Sequence, residues 1–172
     1  MQETKTMTQD ATLDTNHNST AHLTDDARLR QADFAAVLLR ISLGIAFLGH
    51  GLLKVFVFTI PGTVAFFESI GYPGFFAYGV ILAEVLGGVA LILGLQTRAV
   101  ALALVPVMIG ATIQHVPNGW LFSAEGGGWE FPALWTVLLF VLALLGPGAF
   151  ALRINAINKL LAPLRLADPQ AA

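Results

Sequence analysis

Residues 131–150 read FPALWTVLLFVLALLGPGAF, and no charged residue occurs between Glu130 and Arg153. A helix rises about 1.5 Å per residue, so about 20 apolar residues cross the hydrocarbon core of a bilayer. Three more stretches, 34–58, 75–95 and 99–116, have the same character and are nearly or wholly free of charge. The spacing therefore predicts an all-α, integral membrane four-helix bundle. The third stretch is short and holds Pro106, whose missing N–H is expected to kink it. Tyr72-Pro73-Gly74 and Gly146-Pro147-Gly148 punctuate helix ends.

Composition supports the same class. Of 172 residues, 56% are hydrophobic and only 12% are charged, with a mean hydropathy of +0.73. Soluble domains carry about 25% charged residues, and a water-soluble fold this short would leave too much apolar surface uncovered. Lipid is the expected partner. The net charge of -2 gives no reason to expect nucleic acid. The absence of cysteine excludes disulfides, thiol redox chemistry, iron–sulfur clusters and thiolate zinc sites in this chain.

Residues 1–33 are rich in Thr, Asn, Asp and Gln and contain no apolar run. They lack the apolar core of a signal peptide and read as a disordered cytoplasmic tail. Residues 34–150 form the transmembrane domain, and 151–172 a cytoplasmic C-terminal tail. Orientation follows Lys and Arg. Arg28, Arg30, Arg40 and Arg98 lie toward one side, as do Arg153, Lys159 and Arg165, and only Lys54 lies toward the other. Both termini are thus expected to be cytoplasmic, with Arg40 and Arg98 as topology determinants. Trp120, Trp129 and Trp135 fall where an outer aromatic belt is expected, and residues 63–70 read as a short interfacial helix.

An ionisable residue in mid-membrane costs about 2.5–3.5 kcal/mol on insertion scales and is by default a functional hypothesis. Glu84, about the tenth residue of its span, is the clearest case. Arg40, His50 and Lys54 fall within about 80° on the first span, a stripe expected to face the bundle. Gln114 and His115 end the third span, Asn118 follows and Glu130 opens the fourth, so the polar set is expected to converge on one pocket in the outer half.

Each residue also has a simpler reading. Glu84 could merely pair with His50 or Lys54, although interhelical polar contacts average only about 0.6 kcal/mol. Lys54 could snorkel to the interface. His115 and Glu130 sit where polar residues are cheap, and Asn118-Gly119 is a turn signal first. His50 and His115 are the minimum for bis-histidine haem ligation, but two histidines alone are a weak signal. No metal or covalent cofactor is expected. Gly79, Ala83 and Gly87 recur every four residues, with Glu84 and Gly88 in the adjacent row, a spacing that lets helices approach closely in lipid.

The residues that carry a family resemblance are Arg40 through His50-Gly51 to Lys54, Gly71-Tyr72-Pro73, Glu84 with Gly87-Gly88, and Leu93-Gly94-Leu95-Gln96-Thr97-Arg98. His115 with Asn118-Gly119 and Gly128-Trp129-Glu130 complete the set. In order and spacing the chain resembles the DoxX family of small bacterial membrane proteins over residues 40–148. The resemblance implies a four-helix protein of the bacterial inner membrane. It also implies association with oxidoreductases that use quinone, since the family is named for a subunit associated with a terminal quinol oxidase.

Three functions are consistent with these residues. The first is a quinone-binding membrane subunit with a soluble redox partner. His50 or Glu84 would bond a quinone carbonyl or carry its protons, and Trp129 would line the headgroup entrance. The second is a proton-linked transporter, which with four helices would need to form a homo-oligomer. The third is a non-catalytic assembly partner.

Overall fold

The computed structural model describes residues 3–152, and their side chains from residue 26 onward. Of the C-terminal tail expected at residues 151–172, residues 153–172, with Arg153, Lys159 and Arg165, lie outside the described residues. Five α-helices follow one another: α1 (Glu3–Phe56), α2 (Ile60–Ser69), α3 (Phe75–Leu93), α4 (Thr97–His115) and α5 (Glu130–Leu145), with a 3-10 turn at Val116–Asn118 after α4.

Three of these, over Asp26–Phe56, Phe75–Leu93 and Thr97–Asn118, are long and apolar enough to cross a membrane. The expected spans shift at their ends for local reasons. α1 does not begin near residue 34 but is helical from Glu3, because neither Gly nor Pro interrupts residues 3–33. The backbone from Glu3 is thus continuous with the first span. α1 stops at Phe56, and Thr59, at φ 64°, caps α2 by accepting the Gly62 N–H at 3.2 Å. α3 stops at Leu93 because Gly94 takes the left-handed conformation, φ 76°, that closes helix C-termini. α4 runs unbroken through Pro106.

α5 departs most from expectation. Its sequence is the least ambiguous, yet the helix has 16 residues, about 24 Å at the standard rise. Gly146, at φ 89°, ends it, and Pro147 has no N–H with which to continue. The remaining residues turn back onto α1 around Asp33–Val37. A Cβ on Gly148 would lie 2.5 Å from the Asp33 carbonyl oxygen.

The four longer helices pack in a ring: α1 on α3, α3 on α4, α4 on α5, and α5 back on α1. Leu43 and Phe47 of α1, Leu91 of α3, Leu104 and Met108 of α4, and Leu139 of α5 meet in the middle. The closest approach is between α1 and α3. A Cβ on Gly88 would stand 2.6 Å from the Leu48 nitrogen and 2.8 Å from the Gly44 oxygen, so backbone lies against backbone there. Gly87, in the adjacent row, instead faces Leu104 of α4, while Gly79 meets nothing. Outside the ring, Phe34, Leu38, Ile45, Leu86 and Leu144 are all at least 60% exposed, a surface suited to lipid.

Candidate functional site

The register of α1 on α3 builds the site. Gly51 has no side chain, and an added Cβ would stand 3.2 Å from the Glu84 Cβ and 2.7 Å from Val85 Cγ2. Glu84 occupies the space that Gly51 leaves. One turn further along α1 stands Lys54. Side chains on a helix lean toward its N-terminus. On antiparallel helices, Lys54 therefore leans inward along α1 while Glu84 leans outward along α3, and the two meet. The Lys54 ammonium donates to Oε1 at 2.8 Å and to Oε2 at 2.7 Å. Glu84 is 5% exposed, and the Lys54 side chain 20%. Lys54 thus turns into the bundle and does not snorkel outward.

The end of α1 is roofed by α2. Thr63, buried, donates from its hydroxyl to the Lys54 carbonyl at 3.1 Å and to the Thr59 carbonyl at 3.0 Å. This holds the backbone at Lys54 independently of its side chain.

His50 departs from the inward stripe expected of it. Arg40 is buried and Lys54 half-buried, but His50 is exposed. It stands on the shoulder of the buried stripe, toward α5. Its Nδ1 lies 3.1 Å from the Ala46 carbonyl, and its ring meets Trp135 of α5 edge-on, 5.1 Å between centroids. Trp135 also packs edge-on against Phe47 at 5.2 Å. His50 remains close enough to interact electrostatically with Glu84.

The other expected site residues do something different. His115 Nδ1 lies 2.9 Å from the Gly127 carbonyl, and Asn118 Nδ2 donates to that same oxygen at 2.9 Å and to the Gly126 carbonyl at 3.0 Å. Glu130 accepts the Phe122 N–H at 2.9 Å. Trp129 packs edge-on against Trp120 at 4.5 Å. Together these clasp the loop between α4 and α5. No hydrogen bond among the described residues joins this clasp to Lys54 and Glu84, so the single pocket expected for all of them divides into two groups. Among the described residues no three His, Asp or Glu side chains gather to hold a metal ion.

Arg40 and Arg98 lie at the opposite end. Arg40 is 2% exposed, and its Nη1 donates to the Ile92 carbonyl at 3.3 Å. A cation is favoured there because helix C-termini present unpaired carbonyls. Arg98 lies beside Gly146, where α5 ends. The sequence reading took both as topology determinants and placed Arg40 on the stripe facing the bundle, without its partner at Ile92. It also missed Thr63 and the pairing of Trp135 with His50. The seven-residue spacing of Gly44 and Gly51 was the available sign of which face of α1 meets α3.

The polar pair and its histidine also lie within the part of the chain that known proteins share. A family model described as DoxX matches residues 35–124, just over half the chain. A protein of Bacillus subtilis (strain 168) named "Putative oxidoreductase CatD" is 42% identical over 81 residues, 47% of this chain and 59% of that protein. The alignment thus spans less than two thirds of that relative. No solved structure matches the chain. Arg40, His50, Lys54, Glu84, His115 and Asn118 fall inside the matched region, while Trp129, Glu130 and Trp135 fall beyond it. The chain belongs to the DoxX family.

Proposed function

We propose that this protein is a membrane subunit of a bacterial oxidoreductase system, and that Lys54, Glu84 and His50 form its quinone-facing site. The carrying observation is an ion pair with a carboxylate 5% exposed, beside an exposed imidazole, on helices otherwise apolar. Such a pair is costly to insert and is by default functional. The name of the Bacillus subtilis relative points the same way.

The residues suit a quinone. Trp135, half-buried and backed by the buried Phe47, offers aromatic surface to a flat ring, and the apolar flanks of α1 and α5 suit an isoprenoid tail. A bound quinone would supply two-electron, two-proton carrier chemistry. The chain's own part is to hold the headgroup at His50 and to keep a charged, proton-competent carboxylate at Glu84. Electrons would come from a soluble partner.

In this reading α5 and the residues after it complete a fourth crossing, and both termini face the cytoplasm across the inner membrane. Arg40 and Arg98 lie at one end. Lys54, the lone cation toward the other, has its charge matched by Glu84, so it weighs little against that orientation.

The test is a reduced-minus-oxidised optical spectrum of the purified protein, with solvent extraction of the same sample for quinone. Quinone, in either oxidation state, retained by the native chain and lost in Glu84→Gln and His50→Ala supports the proposal. A Soret band would point to haem and overturn it. With neither present, Glu84-dependent solute uptake in proteoliposomes would favour a proton-linked transporter, and co-purification with another complex would favour an assembly partner.

A further inference from the structure

The orientation of His50 carries a finer inference, one that rests on the quinone-site reading and narrows its ligand. A carbonyl oxygen can only accept a hydrogen bond. The contact between His50 Nδ1 and the Ala46 carbonyl, at 3.1 Å, therefore requires the proton on Nδ1. In a neutral imidazole this leaves Nε2 as an acceptor with no proton to give. His50 lies six residues before the end of α1, about 9 Å inside it. Its ring is exposed at the helix shoulder next to Trp135. An acceptor open to hydrocarbon is unfavourable unless a donor meets it.

Among the described residues no hydrogen bond reaches it, His50 being bonded only through Nδ1. Lys54 directs its ammonium at both oxygens of Glu84. The donor must come from a molecule dissolved in the bilayer, approaching between α1 and α5. Trp135, edge-on to both His50 and Phe47, offers an aromatic wall on that approach.

We infer that His50 Nε2 is a lateral hydrogen-bond acceptor for a lipophilic ligand bearing a hydroxyl, so that the site recognises the reduced hydroquinone in preference to the oxidised quinone. A quinone offers only carbonyl acceptors, which cannot pair with an acceptor nitrogen. A hydroquinone donates its O–H to Nε2 while its ring lies against Trp135.

The experiment is equilibrium binding of three probes to the full chain in lipid nanodiscs under argon: decylhydroquinone, its dimethyl ether and decylbenzoquinone. The hydroquinone is expected to bind about tenfold more tightly than the ether, the upper range for one net hydrogen bond. His50→Ala is expected to remove that difference while leaving ether binding unchanged. His50→Gln, whose amide oxygen can accept, is expected to restore part of it. Equal binding of hydroquinone and ether, tighter binding of the benzoquinone, or a preference untouched in His50→Ala would each overturn the inference and leave the quinone site standing. Binding of none of the three would overturn the quinone site itself.

Discussion

The Lys54 ammonium lies 2.8 Å and 2.7 Å from the two carboxylate oxygens of Glu84, joining the last turn of α1 to the middle of α3. Removing one partner leaves a charge in an apolar setting, whereas removing both leaves none. Breaking a buried pair typically costs about 3–5 kcal/mol, and the partial exposure of Lys54 puts this one toward the low end. Glu84→Leu is therefore expected to lower stability in detergent unfolding by about 3 kcal/mol. The double variant Lys54→Met, Glu84→Leu is expected to recover most of it. Simple additivity of the two single effects would show that the pair does not act as one.

The crossing of α1 and α3 predicts opposite outcomes for two glycines. A Cβ on Gly88 would meet the Leu48 nitrogen at 2.6 Å and the Gly44 oxygen at 2.8 Å, both backbone atoms that cannot rotate away. Gly88→Ala is expected to force the helices apart at a cost of about 1–3 kcal/mol. A Cβ on Gly49 would meet nothing within 4 Å, and Gly49→Ala is expected to be neutral or to gain up to about 1 kcal/mol from helix propensity. Thermal unfolding of both variants checks the contrast.

At the opposite end, Gly94 combines a left-handed backbone, φ 76°, with a Cβ position that falls on Arg40 Nη1. Gly94→Ala is expected to cost about 1–2 kcal/mol from handedness alone, and more from displacing the guanidinium. A cycle with Arg40→Ala separates the two parts. The double variant should cost less than the sum of the singles, because the clash disappears with the side chain.

His115 and Asn118 converge on the Gly127 carbonyl, and each bond is worth about 1 kcal/mol net. In the double variant His115→Ala, Asn118→Ala, backbone amides of residues 119–129 are expected to exchange hydrogen faster, and Trp120 and Trp129 fluorescence to change. Binding at His50 and Glu84 should be unaffected. Loss of ligand binding in this variant would show that the loop belongs to the site.

Helix ends were legible where a residue's own chemistry ends a helix. Tyr72-Pro73-Gly74 and Gly146-Pro147 mark such points. The end of α3 was less legible, because the apolar run continues to Leu95 while the helix closes at Gly94. The start of α1 was not legible as a helix end, because neither Gly nor Pro interrupts residues 3–33. The short helix after α1 was legible in outline, since residues 63–70 fall largely within Ile60–Ser69, although the cap at Thr59 was not.

The sequence by itself determined the helical class, the apolar runs and the anomaly of a carboxylate at position 84, because these depend only on local periodicity and on the cost of charge in lipid. Only the tertiary structure decided that Glu84 takes Lys54, that His50 turns to the shoulder beside Trp135, that Arg40 closes α3, and that His115, Asn118 and Glu130 hold a loop. The pairing of Glu84 with Lys54 and the place of Arg40 depend on the register of α1 on α3. That register is set by Gly44, Gly51 and Gly88, where the absence of a Cβ lets the two helices touch. A missing atom on one helix acquires meaning only when the other helix is laid against it.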